Sequence, residues 1–181
     1  MPIYLHDDDV PDNFKFNDVV AIDCETLGLN PHRDRLCLIQ ISNGDGNAHL
    51  IKIRSEQKNM GSMKKILAPN LCSMLSDRKI TKLFHFARFD VAVLYSQYKV
   101  LASPIFCTKI ASKLVRTYTD KHGLKNLVQE ILDIDISKRQ QSSDWGTENL
   151  SESQKEYAAS DVLHLHKLMS NLEKRLEREN R

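Results

Sequence analysis

The sequence lacks several features that would assign a protein class at once. Its 181 residues contain six glycines and five prolines, too few for a collagen-like chain or a long flexible linker. No apolar run approaches the ~20 residues that a membrane-spanning helix requires. The N-terminal segment is acidic where a signal peptide is basic. These absences favour a cytoplasmic protein with no membrane partner.

Cysteine is sparse and the net charge is small. The four cysteines, Cys24, Cys37, Cys72 and Cys107, are far apart and include no CxxC pair. This spacing is typical of reduced, mostly buried thiols rather than of a disulfide framework or a zinc site. With 41% apolar residues and a net charge of +2, the composition is that of a folded protein. The length suits one domain of ordinary size.

The small net charge hides an uneven distribution. Residues 1–30 carry a net charge of −6, whereas residues 78–125 hold ten basic residues against two acidic ones, a net charge of +8. A basic surface of this kind can bind phosphates, since neutralising them releases counterions. The same residues can equally be spread over solvated faces, and charge alone leaves both interpretations open.

Hydrophobic periodicity predicts alternating strands and helices. Strands are expected at about 19–23, 36–42, 48–53, 81–86 and, more briefly, 105–107. Helices are expected at about 63–75 (interrupted by Pro69), 88–98, 108–116 and 123–132. A polar loop over about 137–150 leads to a capping box, Ser151 with Gln154, that opens a C-terminal helical region. This order predicts an α/β protein with a mixed sheet flanked by helices.

Three short patterns contain side chains suited to catalysis. Asp23 and Glu25 stand two apart at the end of the first predicted strand, where both point to one face and can share a hard cation. Asp90 follows the point where a predicted strand passes into a helix. Tyr157 and Asp161 are four apart on a predicted helix, so they project from the same side. Each pattern alone is more often a helix cap or a solvated side chain.

Taken in order, the three patterns resemble the motifs of the DEDD superfamily of 3′–5′ exonucleases, in its tyrosine-containing branch, and in particular the ribonuclease D catalytic domain. The likeness extends to the segments Glu25-Thr-Leu-Gly-Leu29, Gln141-Ser-Ser-Asp-Trp145 and Tyr157-Ala-Ala-Ser-Asp161. The resemblance implies a ribonuclease H-like fold with a mixed five-stranded sheet flanked by helices. It covers about residues 16–175, so we expect one exonuclease domain over residues 1–181, with residues 1–15 as a lead-in.

Other segments are similar to the nanoRNase C family of bacterial enzymes, which cleave dinucleotides and very short oligoribonucleotides. They are Asp34-Arg-Leu-Cys, Thr108-Lys-Ile-Ala-Ser-Lys-Leu and Tyr118-Thr-Asp-Lys-His-Gly-Leu-Lys. Ribonuclease D proper continues into helical RNA-binding modules, whereas this chain ends at Arg181, which favours short substrates. The resemblance also suggests a homo-oligomer, either a dimer or a ring. The leucines after Val162 then serve either the protein's own sheet or a subunit interface.

The resemblance implies a mechanism with two divalent ions, Mg²⁺ or Mn²⁺, which prefer oxygen ligands. Asp23, Glu25 and Asp161 would hold one ion. Asp23 would bridge to the second, with Asp90 completing its shell through water. Tyr157 would orient the attacking water. Short RNA is the expected partner.

The candidate substrate contacts are less distinctive. Leu29 is either a wedge between bases or a core leucine, and Gly28 allows close approach of a sugar. Trp145 either stacks on a base or anchors its loop, with Asp144 tied to the backbone. His85 is either a phosphate contact or a buried, hydrogen-bonded imidazole. Phosphate contacts are also expected from Arg88 and from the polar loop. The full candidate set is Thr26, Leu27, Gly28, Leu29, His85, Arg88, Gln141, Ser142, Ser143 and Trp145.

Three functions compete at this point. The leading one is a metal-dependent 3′–5′ exoribonuclease of dinucleotides and short oligoribonucleotides that releases 5′-mononucleotides. The second is ribonuclease D-like 3′ trimming of longer RNA or DNA. The third is a catalytically silent RNA-binding relative. The presence of all four acids and the tyrosine counts against the third, because an inactive relative has no physical need for mutually repelling carboxylates.

Overall fold

The computed structural model of the chain describes residues 1–54 and 68–181. Within these ranges it contains six strands and six helices. In chain order they are β1 (Ile3–Asp7), β2 (Val19–Thr26), β3 (Leu36–Ser42), β4 (Ala48–Lys52), α1 (Pro69–Ser76), β5 (Thr81–Phe84), α2 (Ala87–Tyr98), β6 (Ile105–Cys107), α3 (Thr108–Val115), α4 (Leu124–Leu132), α5 (Glu152–Leu163) and α6 (Leu165–Arg178).

The strands form one mixed sheet in the order β1-β4-β3-β2-β5-β6. Strands β2, β3 and β4 pair antiparallel, whereas β1, β5 and β6 join by parallel pairing. The predicted α/β class and mixed sheet are confirmed, but the prediction of five strands is wrong by one. Residues 3–7, expected to be part of a lead-in, pair with β4 from Ala48 onward. Their short run carries too few apolar residues to signal a strand without its distant partner.

Helices cover both faces of the sheet. On one face, α1 and α2 bury Leu71, Met74 and Leu94 against Ile22 and Ile39. On the other face, α3, α4, α5 and α6 form a second apolar layer on β2 and β5. The leucines of α6 contribute to this layer, since Leu165, Leu168 and Leu172 have no exposed surface. They therefore serve the protein's own core.

Local signals located most element ends correctly. The capping box of Ser151 and Gln154 opens α5 as predicted. Pro69 does not interrupt a helix but begins α1, where its missing N–H would have no intrahelical partner anyway. The part of the predicted helix at 63–67 lies outside the described residues. Strand β5 ends at Phe84, two residues earlier than expected, because Phe86 adopts a left-handed conformation with φ of 72°.

Within residues 1–54 and 68–181, no helix is both long enough and apolar enough to cross a bilayer. Cys24 and Cys37 are buried and form no disulfide.

Candidate active site

Three carboxylates meet where β2 passes under α5. Asp23 and Glu25 alternate along β2 and so point to the face that α5 covers, and α5 contributes Asp161. One carboxylate oxygen from each of the three lies within 4.8 Å of the others. Asp90, near the start of α2, is buried and lines the same cavity but lies outside this trio. We call Asp23, Glu25, Asp90 and Asp161 the carboxylate cluster.

The protein balances the carboxylate cluster only in part, through the charge of Lys138 and the Tyr157 hydroxyl, which both act on Asp161. Burial raises the pKa of Asp23 well above its usual range, and the neighbouring acids raise it further. Burial, followed by the charges of Asp161 and Asp90, raises the pKa of Glu25 to about 9. Burial likewise raises the pKa of Asp90 to about 8 and that of Asp161 to about 7. Such a group of acids needs an external cation to stay ionised at neutral pH.

The donor set fits Mg²⁺ or Mn²⁺. All of its ligand atoms are carboxylate oxygens, which these hard cations prefer over nitrogen or sulfur. Asp23, Glu25 and Asp161 are close enough together to share one ion. Asp90, which lines the same cavity but lies outside that group of three, is a candidate ligand for a second ion.

Tyr157 lies one helical turn before Asp161 on α5, as the spacing predicted. Its hydroxyl is beside the Asp161 carboxylate. Burial, together with the charges of Asp161 and Glu25, raises the pKa of Tyr157 above its usual range. The phenol is therefore protonated at neutral pH and is suited to orienting a water molecule by hydrogen bonding.

The cavity over the carboxylate cluster has a volume of about 610 Å³. One wall is the turn after β2. Thr26 donates its hydroxyl hydrogen to the Gly28 carbonyl oxygen. The Asp34 carboxylate packs so tightly on Gly28 that an added Cβ would lie 2.3 Å from its Oδ2 atom. Leu29 is 84% exposed, so it is not a core leucine and remains available to contact a base.

His85 carries no positive charge into the cavity. Its Nδ1 atom is 2.9 Å from the Thr108 hydroxyl, which donates its own hydrogen to the Phe84 carbonyl oxygen. Nδ1 is therefore the protonated nitrogen, and Nε2 is left as an acceptor. Burial, with help from nearby lysines, lowers the pKa of His85 to about 4. A neutral imidazole suits a hydroxyl group of the substrate better than a phosphate.

The polar loop before α5 forms another wall, with Gln141, Ser142 and Ser143 lining the cavity. Ser143 accepts a hydrogen bond from the Gln154 side chain at 2.8 Å. Trp145 is only 2% exposed, and its ring centroid lies 5.9 Å from that of Tyr157. Trp145 thus anchors the loop.

Two neighbours of Trp145 support that role. The Asp144 carboxylate accepts a hydrogen bond from the Gly146 amide at 2.9 Å, as expected. Leu27 is so close to Gly146 that a Cβ there would lie 2.9 Å from its Cδ2 atom, which joins this loop to the turn after β2.

Sequence reasoning missed a basic and aromatic wall made by Phe86, Lys109, Lys125 and Lys138. The Lys109 ammonium lies 4.0 Å above the centre of the Phe86 ring. Lys125 pairs with Asp135 at 2.8 Å, and the charge of Lys138 acts on Asp161. These residues come from separate loops and helices, so no local motif indicates them.

The basic stretch at 78–125 serves two purposes. Lys82 and Arg116 are fully buried and structural, whereas Lys109 and Lys125 line the cavity. Arg88 is exposed and, among the described residues, is not part of the cavity wall. Apart from Arg88, the structure brings every predicted site residue to this one cavity.

The chain is similar to known nucleases in sequence and fold. A family model described as 3′–5′ exonuclease matches residues 9–177. Ribonuclease D of Gluconacetobacter diazotrophicus is 33% identical over 162 residues, covering 90% of this chain and 39% of that protein. The chain therefore spans about two fifths of the length of such curated relatives.

Solved structures extend the comparison. NrnC of Brucella melitensis bound to pGG is 58% identical, with a TM-score of 0.90, and the match covers 100% of this chain and 84% of that one. The same protein with bound Mg²⁺ is 57% identical, with a TM-score of 0.89 and coverage of 100% and 85%. The chain belongs to the 3′–5′ exonuclease family, in its ribonuclease D-like, nanoRNase C-type group.

Proposed function

We propose that this chain is a metal-dependent 3′–5′ exoribonuclease that hydrolyses dinucleotides and short oligoribonucleotides to 5′-mononucleotides. The observation that carries the proposal is the carboxylate cluster, whose acids raise one another's pKa values, in a cavity with a lysine wall. The pGG and the Mg²⁺ bound by the Brucella melitensis protein support both the substrate class and the metal.

The residues have separable roles in this proposal. Asp23, Glu25 and Asp161 hold one divalent ion, and Asp90 contributes to a second one. When bound, such ions supply an activated water and stabilise charge on the phosphate. Tyr157 orients the water through its protonated hydroxyl.

Substrate positioning falls to the cavity walls. Leu29 contacts the bases, and the His85 imidazole accepts a hydrogen bond from a ribose hydroxyl. Lys109 and Lys138 attract the phosphates. The cavity volume of about 610 Å³ lies within the range of roughly 300–1,000 Å³ usual for small-ligand sites.

A length series tests the substrate class. Turnover is measured on RNAs of two to about twenty nucleotides with Mg²⁺ or Mn²⁺, with EDTA as the metal-free control. We expect the highest kcat/KM for the dinucleotide and none in EDTA. Equal or faster turnover of long RNA or of DNA would instead support ribonuclease D-like trimming. Asp23→Ala should abolish turnover while leaving the fold intact, whereas retained turnover would contradict the site assignment.

Cellular context is part of the proposal. The buried thiols of Cys24 and Cys37 suit a reducing compartment, so we propose the cytoplasm. We further propose a homo-oligomer, either a dimer or a ring. The apolar side chains of Leu101, Ile105 and Ile110 are exposed and are candidates for the interface. Light scattering during gel filtration gives the molar mass; a monomer would contradict this part.

A further inference from the structure

Gln40 is a polar side chain in an apolar place. It lies in the middle of β3 and has no exposed surface. Neither its amide nitrogen Nε2 nor its amide oxygen Oε1 has a hydrogen-bond partner among the described residues. A buried polar group without a partner destabilises the folded state, so its presence in a core calls for a reason. A methionine would fill the same volume without that cost.

The register of the sheet places Gln40 directly opposite Asp23 on β2. Opposed residues on antiparallel strands project from the same face with Cβ atoms about 5 Å apart, a gap that a glutamine side chain spans. On the other side the opposed residue is Leu50, which has no polar atom. Ser42, next along the same face, donates its hydroxyl hydrogen to the Asn47 carbonyl oxygen at 2.7 Å. The register therefore presents Asp23 as the acceptor for the Gln40 amide.

Asp23 needs a donor of this kind. Its carboxylate faces three other acids, and the Cys24 backbone amide donates to it. Carboxylates that bind metal ions are held by hydrogen bonds from groups behind them, which fix the orientation of the ligand oxygen. An amide does this without adding charge, so it preserves the negative potential that attracts a cation. A lysine in the same place would cancel that potential.

We propose that Gln40 is a positioning residue for the metal site: its side-chain Nε2–H, which has no partner among the described residues, donates to the facing Asp23 carboxylate when a divalent cation is bound and so fixes the orientation of that ligand. The inference rests on the proposed function, since it assumes that Asp23 binds the metal. It also explains why an amide that stabilises nothing in its own strand stands beside the carboxylate cluster.

The test replaces Gln40 by methionine, which keeps the volume and removes the donor. Mn²⁺ binding to the full chain is measured by calorimetry without substrate, and thermal unfolding is measured in EDTA. We expect Gln40→Met to weaken Mn²⁺ binding about 10–100-fold, the usual effect of losing a group behind a metal ligand. The unfolding midpoint in EDTA should be unchanged or higher. Turnover should recover when Mg²⁺ is raised to saturation.

Two further variants separate the outcomes. Ser42→Ala removes a buried polar group from the same face of β3 and should lower the unfolding midpoint without changing Mn²⁺ affinity. Asp23→Asn should lose Mn²⁺ binding, and if it does not, the proposed function itself fails. Wild-type Mn²⁺ affinity in Gln40→Met, with Asp23→Asn impaired, overturns only the role of Gln40. Failure of both Gln40→Met and Gln40→Leu to fold would make the amide structural and would also overturn it.

Discussion

Two parts of this molecule bury charge in opposite ways. On β5, the Lys82 ammonium donates to three backbone carbonyl oxygens, those of Asp77, Ile80 and Ser103, at 2.6–2.7 Å. In the carboxylate cluster, by contrast, each acid faces other acids. The fold gives the Lys82 ammonium a backbone acceptor for each of its three hydrogens, although burial lowers its pKa. The carboxylate cluster, in contrast, needs a cation from outside the protein.

Arg116 follows the pattern of Lys82. It is fully buried, and its guanidinium donates to the Glu130 carboxylate, the Ser112 hydroxyl and the Lys121 carbonyl oxygen. This network holds the connection between α3 and α4, which leads into one wall of the cavity. The comparison shows that a buried charge with its partners supports structure, while a buried charge without them indicates a binding site.

The largest effect should come from neutralising one member of the cluster. We expect Asp161→Asn to reduce exonuclease turnover more than about 100-fold, beyond the range for groups that only support a metal ligand. The same change should raise the unfolding midpoint in EDTA, because it removes one of several repelling charges. Glu177→Gln, on an exposed site of α6, is the matched control. A lower unfolding midpoint together with full turnover in Asp161→Asn would show that this acid stabilises the fold and is not needed for catalysis.

A smaller but still large effect, this time on stability, is expected from replacing Lys82. Lys82→Met removes the Lys82 donor from three partly buried carbonyl oxygens, and a buried group left without a partner costs about 1–3 kcal/mol. We expect the free energy of unfolding to fall by about 3 kcal/mol, measured by urea denaturation. Turnover per folded molecule should stay the same. Lys79→Met, at an exposed position nearby, should change neither quantity. An equal loss of stability in that variant would contradict the stabilising role of the three Lys82 hydrogen bonds.

Tyr157 tests whether the site uses its phenol for orientation. Tyr157→Phe keeps the ring against Trp145 and removes only the hydroxyl. We expect kcat to fall about 10–100-fold, at or below the lower end of full acid–base catalysis, with Mn²⁺ affinity unchanged. Tyr95→Phe, an exposed tyrosine on α2, is the control. A change in metal affinity equal to the change in kcat would assign the hydroxyl to the metal site instead.

The smallest expected effect is on the pH dependence of stability, which should have opposite signs for the carboxylate cluster and for Glu130, the ion-pair partner of Arg116. In the cluster the folded-state pKa values are raised, to about 7 for Asp161 and about 9 for Glu25. The folded state therefore keeps protons that the unfolded state releases, and metal-free stability falls as the pH rises from about 4, where the unfolded acids ionise, to the folded-state pKa values. Hydrogen bonds from Arg116 and Tyr118 lower the pKa of Glu130 to about 2. Its contribution is present above about pH 4.5 and is lost as the pH falls towards 2.

The free energy of unfolding is measured in EDTA from pH 3 to pH 9. Its fall towards low pH, the acid limb, reports on Glu130, and its fall towards high pH, the alkaline limb, reports on the carboxylate cluster. Glu130→Gln should flatten the acid limb by about 1 kcal/mol, since Glu130 is partly exposed, and leave the alkaline limb unchanged. Added Mg²⁺ should flatten the alkaline limb, because a bound cation restores the balance of charge. An alkaline limb that Mg²⁺ does not alter would show that the cluster binds no cation.

Much of the fold followed from local patterns. Apolar runs located β2 to β6, and the capping box placed the start of α5. Strand β1 was not predicted, because its pairing with β4 depends on residues far along the chain. The wall residues Phe86, Lys109 and Lys138 escaped for the same reason, since only packing brings their separate segments to one cavity.

The sequence by itself determined the chemistry of this protein: which carboxylates it carries, their order, and their spacing on strand and helix. Those are local properties of side-chain type and of the periods of β-strands and α-helices. Only the tertiary structure decided which charges are balanced. Lys82 and Asp23 are both ionisable residues on strands, but their surroundings differ. Backbone carbonyl oxygens surround the Lys82 ammonium, whereas other acidic side chains surround the Asp23 carboxylate. That depends on long-range packing, which no local pattern records.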